Sequence, residues 1–100
     1  MRVYIAGKIG DLPKEVYEAN FKEAVKSWRS HGHEVVSPLE LPHNHDRTWQ
    51  AYMFENLKAL SGCEGIVLLE SWVESPGARI EKAWAERLGL KVMYFNHDVA

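Results

Sequence analysis

Ile66-Val67-Leu68-Leu69-Glu70-Ser71-Trp72-Val73-Glu74-Ser75-Pro76-Gly77-Ala78-Arg79-Ile80-Glu81 is the stretch on which the fold of this chain turns. Its first four residues read as a strand buried on both faces, residues 70–74 as a loop, and Ser75 onwards as the start of a helix. Ser75 suits the N-cap, Pro76 the first helical position, where its missing N–H costs nothing, and Gly77 permits close approach to the backbone. Such a helix start offers free N–H groups and a positive dipole end to an anion. Glu81, in the second turn, is near enough to the same end to face what the loop holds. Two readings follow. Either Ser75 and the helix start hold a phosphate while Glu81 works on the attached sugar, or Ser75 is only a cap and Glu81 a solvated helix residue.

The same alternation extends in both directions. Arg2 to Gly7 is a short β-branched run of the kind a central strand shows. Lys8 to Leu12 is a loop, and Pro13 opens a helix in which Tyr17, Phe21, Ala24, Val25 and Trp28 recur at helical spacing until His31-Gly32. His33 to Val36 is the second strand, stopped by Ser37-Pro38. A longer connection carries His43-Asn44-His45-Asp46; its spacing matches no common zinc pattern, so it reads as a polar lid or substrate loop and no metal is expected. Asp46 or Thr48 caps a second helix with Trp49, Met53, Leu57 and Leu60 on one stripe and Asn56 beside it. Glu64 to Leu69 is the third strand. The third helix is expected to bury Ile80, Ala83, Trp84 and Leu88 before Gly89, and Leu90 to Phe95 forms the fourth strand, with 96–100 a short tail.

Strands alternating with helices through short turns specify an α/β fold: a three-layer, four-stranded parallel sheet, flavodoxin-like (Rossmann-like), of order 2-1-3-4. The switch point of such a sheet lies between its first and third strands, and ligands bind at the carboxyl ends there. Gly7, Lys8, Asn56, Glu70 and residues 75–81 are thereby expected around one crevice. Lys8 contacts a phosphate or is a solvated loop lysine, Arg79 is a phosphate clamp or a surface cation, and Trp72 stacks on a base or closes the loop over the core.

With 100 residues the chain makes a single domain, residues 1–100, large enough to bury roughly 60–65% of its unfolded surface. Its formal charge of −2, both signs scattered, supplies no basic stripe for a nucleic-acid polymer. No apolar run approaches the roughly 20 residues of a membrane span. One cysteine, Cys63, and no signal-peptide pattern lead to the expectation of a cytoplasmic protein. Apolar residues left over from the sheet-facing stripes, such as Tyr52, Phe54 and Trp72, suggest a homodimer or higher homo-oligomer.

Tyr4-Ile5-Ala6-Gly7-Lys8-Ile9, Gly32-His33-Glu34-Val35, Tyr52-Met53, Leu57 to Leu60, Cys63 and above all Trp72-x-x-Ser75-x-Gly77-Ala78-x-x-Glu81 resemble the small phage and bacterial relatives of nucleoside 2-deoxyribosyltransferase, over nearly the whole chain. The resemblance implies cleavage of the bond between base and deoxyribose, without a cofactor. By position it makes Glu81 the nucleophile and Tyr4 a functional tyrosine. Gly7, Lys8, Glu70, Ser75, Gly77 and Ala78, which the sheet order brings to the crevice, are the expected substrate contacts, with Tyr4, Asn56 and Glu81 as the catalytic set. In the related 2′-deoxynucleoside 5′-monophosphate N-hydrolases the residue six before the nucleophile is a serine on the 5′-phosphate, and in the transferases it is aspartate. Ser75 therefore leans towards nucleoside monophosphates. Both groups carry aspartate where this chain has Asn56, which keeps hydrogen bonding but has no proton to give a leaving base; Glu70 or Asp46 is then the alternative acid. A binding module without turnover, a nucleotide receptor using the same crevice, is the reading that Asn56 favours.

Overall fold

The computed structural model describes residues 1–42 and 48–95; the His43–Asp46 loop, the Asp46 cap and acid, and the tail after Phe95 lie outside the described residues. Four strands, β1 (Arg2–Ala6), β2 (Glu34–Val36), β3 (Gly65–Leu69) and β4 (Lys91–Phe95), alternate with three helices, α1 (Lys14–Ser30), α2 (Trp49–Ser61) and α3 (Pro76–Arg87). All pairings are parallel, in the order β2-β1-β3-β4. The expected sheet is the one observed.

Strand periodicity divides the core into two layers. Val3, Ile5, Val67 and Leu69 face α1 and meet Phe21, Ala24 and Val25. Tyr4, Ala6, Ile66 and Leu68 face the other side, where Leu60 of α2 and Ala78 and Ala85 of α3 cover them. Gly7 follows β1 where the chain passes Leu69 so closely that a Cβ would lie 2.6 Å from Leu69 Cδ1. The helices end as their sequences suggest: Gly32 and Gly89 take the left-handed conformation, with φ of 85° and 74°. Thr48 is the cap of α2, its Oγ1 accepting from the Ala51 N–H at 3.1 Å.

Two expectations fail. Residues 70–74 form a 3-10 helix (Glu70–Glu74) rather than an open loop. The buried face of α3 is Ala78, Glu81 and Ala85, whereas Ile80, Trp84 and Leu88 are each about 40% exposed and Ala83 also faces solvent. Small side chains let α3 lie close on β1 and β3, and the bulky stripe is turned outward. Phe54 of α2 is exposed as well, at 77%. Among the described residues no helix is long and apolar enough to cross a membrane.

Candidate active site

A cavity of about 520 Å³ opens at the carboxyl ends of β1 and β3, the size of a small-molecule site. Three segments wall it. The β1–α1 loop contributes Gly7 to Asp11, α2 contributes Trp49, Tyr52, Met53 and Asn56, and the end of the 3-10 helix with the start of α3 contributes Glu74 to Ala78 and then Glu81. Tyr17, Pro38 and Leu39 close the remaining side.

Glu81 reaches this wall because the turn of α3 that presents Ala78 to the sheet presents residue 81 as well. Glu81 as a whole is 4% exposed. Tyr4, fully buried on β1, donates its hydroxyl to Glu81 Oε2 at 2.7 Å. The Asn56 side-chain amide lies close enough to favour the ionised carboxylate. Burial pushes the Glu81 pKa up to about 7, and the Tyr4 hydroxyl and the Asn56 amide only partly offset it. The dipole at the start of α3 favours the ionised form, and loss of solvent outweighs it. Burial, and then the neighbouring carboxylate, hold the Tyr4 hydroxyl well above its ordinary pKa. Tyr4 is thus a donor throughout the neutral range and no base.

Ser75 caps α3, its Oγ accepting from the Ala78 N–H at 3.1 Å. A serine hydroxyl that accepts there keeps its own O–H to donate, and Ser75 stands on the cavity wall. Gly77 faces Met53 across the cavity's α2 side, where a Cβ would come within 3.3 Å of the Met53 sulfur. The Lys8 backbone N–H is held by Ser71 Oγ at 3.0 Å, which ties the β1–α1 loop to the 3-10 helix.

The structure therefore gathers Gly7, Lys8, Asn56, Ser75, Gly77, Ala78 and Glu81 on one wall, with Tyr4 directly behind Glu81. Glu70 is the exception: it opens the 3-10 helix, is exposed and lies off the cavity wall. The extra helical turn carries Glu74 to the wall in its place. Arg79 and Trp72 are also off the wall; Trp72 packs on the core beside Tyr94, and Lys82 lies over its ring. Asp11, Tyr17, Trp49 and Glu74 were missed. Asp11 had a signal, since loops leaving the carboxyl end of a central strand line such sites. Among the described residues no cluster of three or more His, Cys, Asp or Glu could hold a metal ion.

One atom of the site stands out: Asn56 Oδ1 is shielded from solvent and has no hydrogen-bond partner. An orphaned buried acceptor costs about 1–3 kcal/mol.

Sheet order, layer arrangement and a site at the switch point define an α/β domain of the nucleoside deoxyribosyltransferase fold. The whole chain superposes on the 2-deoxyribosyltransferase of the psychrotolerant bacterium Bacillus psychrosaccharolyticus with a TM-score of 0.74 at 19% identity, covering 77% of that chain. The CMP N-glycosidase BcmB of Clostridium botulinum superposes with a TM-score of 0.67 at 19% identity over 97% of this chain and 76% of that one. The likeness is one of fold. The chain belongs to the domain family DUF4406, a domain of unknown function, whose family model matches residues 1–94. No curated protein matches it.

Proposed function

We propose that the protein cleaves the N-glycosidic bond of a nucleoside 5′-monophosphate, with Glu81 as nucleophile. The observation that carries this reading is the buried Glu81 carboxyl on the cavity wall, held by Tyr4 at 2.7 Å, one turn from a helix start that suits a phosphate. Support comes also from the two structural neighbours, a deoxyribosyltransferase and a CMP N-glycosidase.

The chemistry follows from where charge develops. As the bond between C1′ and the base nitrogen breaks, its electron pair leaves with the base and C1′ becomes electron-poor. A Glu81 oxygen forms a bond to C1′, giving a covalent glycosyl ester. Water, or a second base, then adds to C1′ and Glu81 leaves as carboxylate. With water the sum is nucleotide plus water giving free base plus sugar phosphate. The departing base needs a proton that Asn56 does not have; Asp11 and Glu74, exposed on the wall, are the described carboxylates in reach of the cavity besides Glu81. Ser75 donates to the phosphate at the start of α3, and Trp49, Tyr52 and Met53 offer the base an apolar surface.

Incubation with a panel of nucleoside 5′-monophosphates, with free base followed by chromatography, tests the reading. Base release that disappears in Glu81→Gln is expected. Absence of release from a monophosphate that still raises the melting temperature would favour the receptor reading suggested by Asn56, since a ligand at a hundredfold over its Kd adds about 2.7 kcal/mol to the native state.

A further inference from the structure

We infer that a second copy of this chain docks on the outer face of α2 and α3, making a two-fold dimer. The two helices run parallel and in a fixed register. Gly77 lies against Met53, and further along the pair Trp84 Nε1 donates to Ser61 Oγ at 2.8 Å. Phe54 and Ser61, seven positions apart on α2, share the side that meets Trp84. Ile80, Trp84 and Leu88, spaced by four, form the facing row on α3 and the residue after it. Phe54 and these three make one apolar strip along the groove between the helices. Phe54 is 77% exposed and the other three 40–43%, and none belongs to either layer of the core. The more hydrophobic side of α3 thus faces outward, away from a sheet-facing side of alanines and Glu81. Of the residues that the sequence singles out for self-association, Phe54 stands on this strip, whereas Tyr52 lines the cavity and Trp72 packs on the core.

The size of the strip suits a contact between chains. A large aromatic side chain covers roughly 150–250 Å², so at these exposures the strip presents on the order of 400 Å² of apolar surface. Patches of that extent mark interaction sites, unlike apolar residues scattered singly. A stable interface takes about 800 Å² from each partner, its apolar core ringed by polar surface. The strip is about half of that, and the polar flanks of α2 and α3 supply the ring. Tyr52, Met53 and Asn56 line the cavity from another side of α2, so the docked copy backs the cavity wall.

The charges at the ends of the strip select a copy of the same chain as its occupant. Glu55 lies beside Phe54 near the start of the helix pair, and Arg87 beside Leu88 at its end. Both are exposed, and neither enters an ion pair among the described residues. A two-fold axis crossing the strip near the level of Ala83 turns the copy antiparallel. It sets Phe54 over Leu88 of the partner subunit and Glu55 against the partner's Arg87, and the same two contacts recur at the other end. Ile80 and Trp84 fill the middle, their four-residue ridge packing into the groove of the copy. A rim pair of this kind selects orientation and partner more than it adds affinity. With opposite charges at its two ends, the strip fits itself.

Sedimentation equilibrium of the full chain at about 1–100 μM tests this, because interfaces of standard size hold at μM concentrations or below. The expected mass is twice the 11.5 kDa of one chain. Phe54→Lys and Ile80→Lys, at positions exposed in the single chain, should each raise the dimer Kd about 30-fold or more while far-UV circular dichroism stays unchanged. Glu55→Arg and Arg87→Glu should each weaken the dimer about 10-fold by setting like charges opposite, and the double variant should regain wild-type affinity. A wild type that stays monomeric across the range overturns the inference and leaves the face to a different partner. A dimer indifferent to Phe54→Lys and Ile80→Lys overturns it too, as does a double variant no tighter than the single ones. None of these outcomes depends on what the cavity binds.

Discussion

Tyr4 on the first strand and Glu81 on the last helix, 77 positions apart, share a 2.7 Å hydrogen bond in the core. The bond spans the layer between sheet and helix, and it joins a group that stays protonated throughout the neutral range to one that titrates near its middle. Folding and proposed chemistry meet in this pair.

Glu81 makes stability fall as pH rises. In the unfolded chain the carboxyl ionises near 4.5, and in the fold near 7. Between those values the native state holds the extra proton, so stability declines across this window and is lowest above about pH 7. The loss amounts to about 3 kcal/mol at pH 8 relative to pH 4. Glu81→Gln, which keeps an acceptor for Tyr4 and carries no charge, is expected to match wild type at pH 4 and exceed it by about that amount at pH 8 in urea unfolding.

The same titration sets an activity profile. A nucleophile must be ionised, so kcat/KM for base release should rise through an apparent pKa of about 7 and level off above it. Rates measured from pH 5 to 9 with one monophosphate check this. A rate that falls through that value instead would make Glu81 an acid.

Removing the Tyr4 hydroxyl takes away a bond to the ionised carboxylate. Such bonds are worth about 1.5–3 kcal/mol, so Tyr4→Phe should lower kcat at pH 7 by about 10- to 100-fold. It should also move the acid limb upward, because the protonated form loses less than the ionised one. Full-range pH profiles of the variant separate this from simple unfolding.

Ser75 is expected to serve α3 and the ligand at once. Ser75→Ala loses the cap to Ala78, about 1 kcal/mol, a fall of about 4–8 °C in a domain of this size. Ser75→Asp keeps the cap but opposes a phosphate. Both variants should bind a monophosphate more weakly than wild type while binding the parent nucleoside as before, with aspartate the worse of the two for the monophosphate.

Gly7→Ala probes a different origin of a site residue. Its Cβ would meet the Cβ and Cγ of Leu69 at 2.9 Å, and overpacking against a strand side chain costs about 1–3 kcal/mol. Chemical denaturation should register that loss with no ligand present.

Strand periodicity and helix punctuation were sufficient to read the sheet order, and sheet order brought Tyr4, Asn56, Ser75 and Glu81 to one end of the molecule. The rotation of α3 was not legible. Ile80, Trp84 and Leu88 make the more hydrophobic stripe, yet Ala78, Glu81 and Ala85 face the sheet, because close packing of a helix on strands rewards small side chains and a hydrophobicity pattern counts large ones. Burial of Glu81 follows from that rotation, so its raised pKa was beyond reach as well. Glu70 and Glu74 exchanged places for a similar reason: a 3-10 turn after β3 alters which residue returns to the cavity, and residues 70–74 carry no strong signal for it.

The central claim, a glycosyl ester on Glu81, is tested most directly by the stereochemistry of the product. Base release run in dilute methanol traps the sugar phosphate as a methyl glycoside that does not interconvert, and proton NMR gives its configuration at C1′. Two displacements restore the original face, so the account requires the β anomer, and no product from Glu81→Gln. The α anomer would mean that the solvent attacks directly and that Glu81 is not the nucleophile; so would a Glu81→Gln protein that forms product at the wild-type rate.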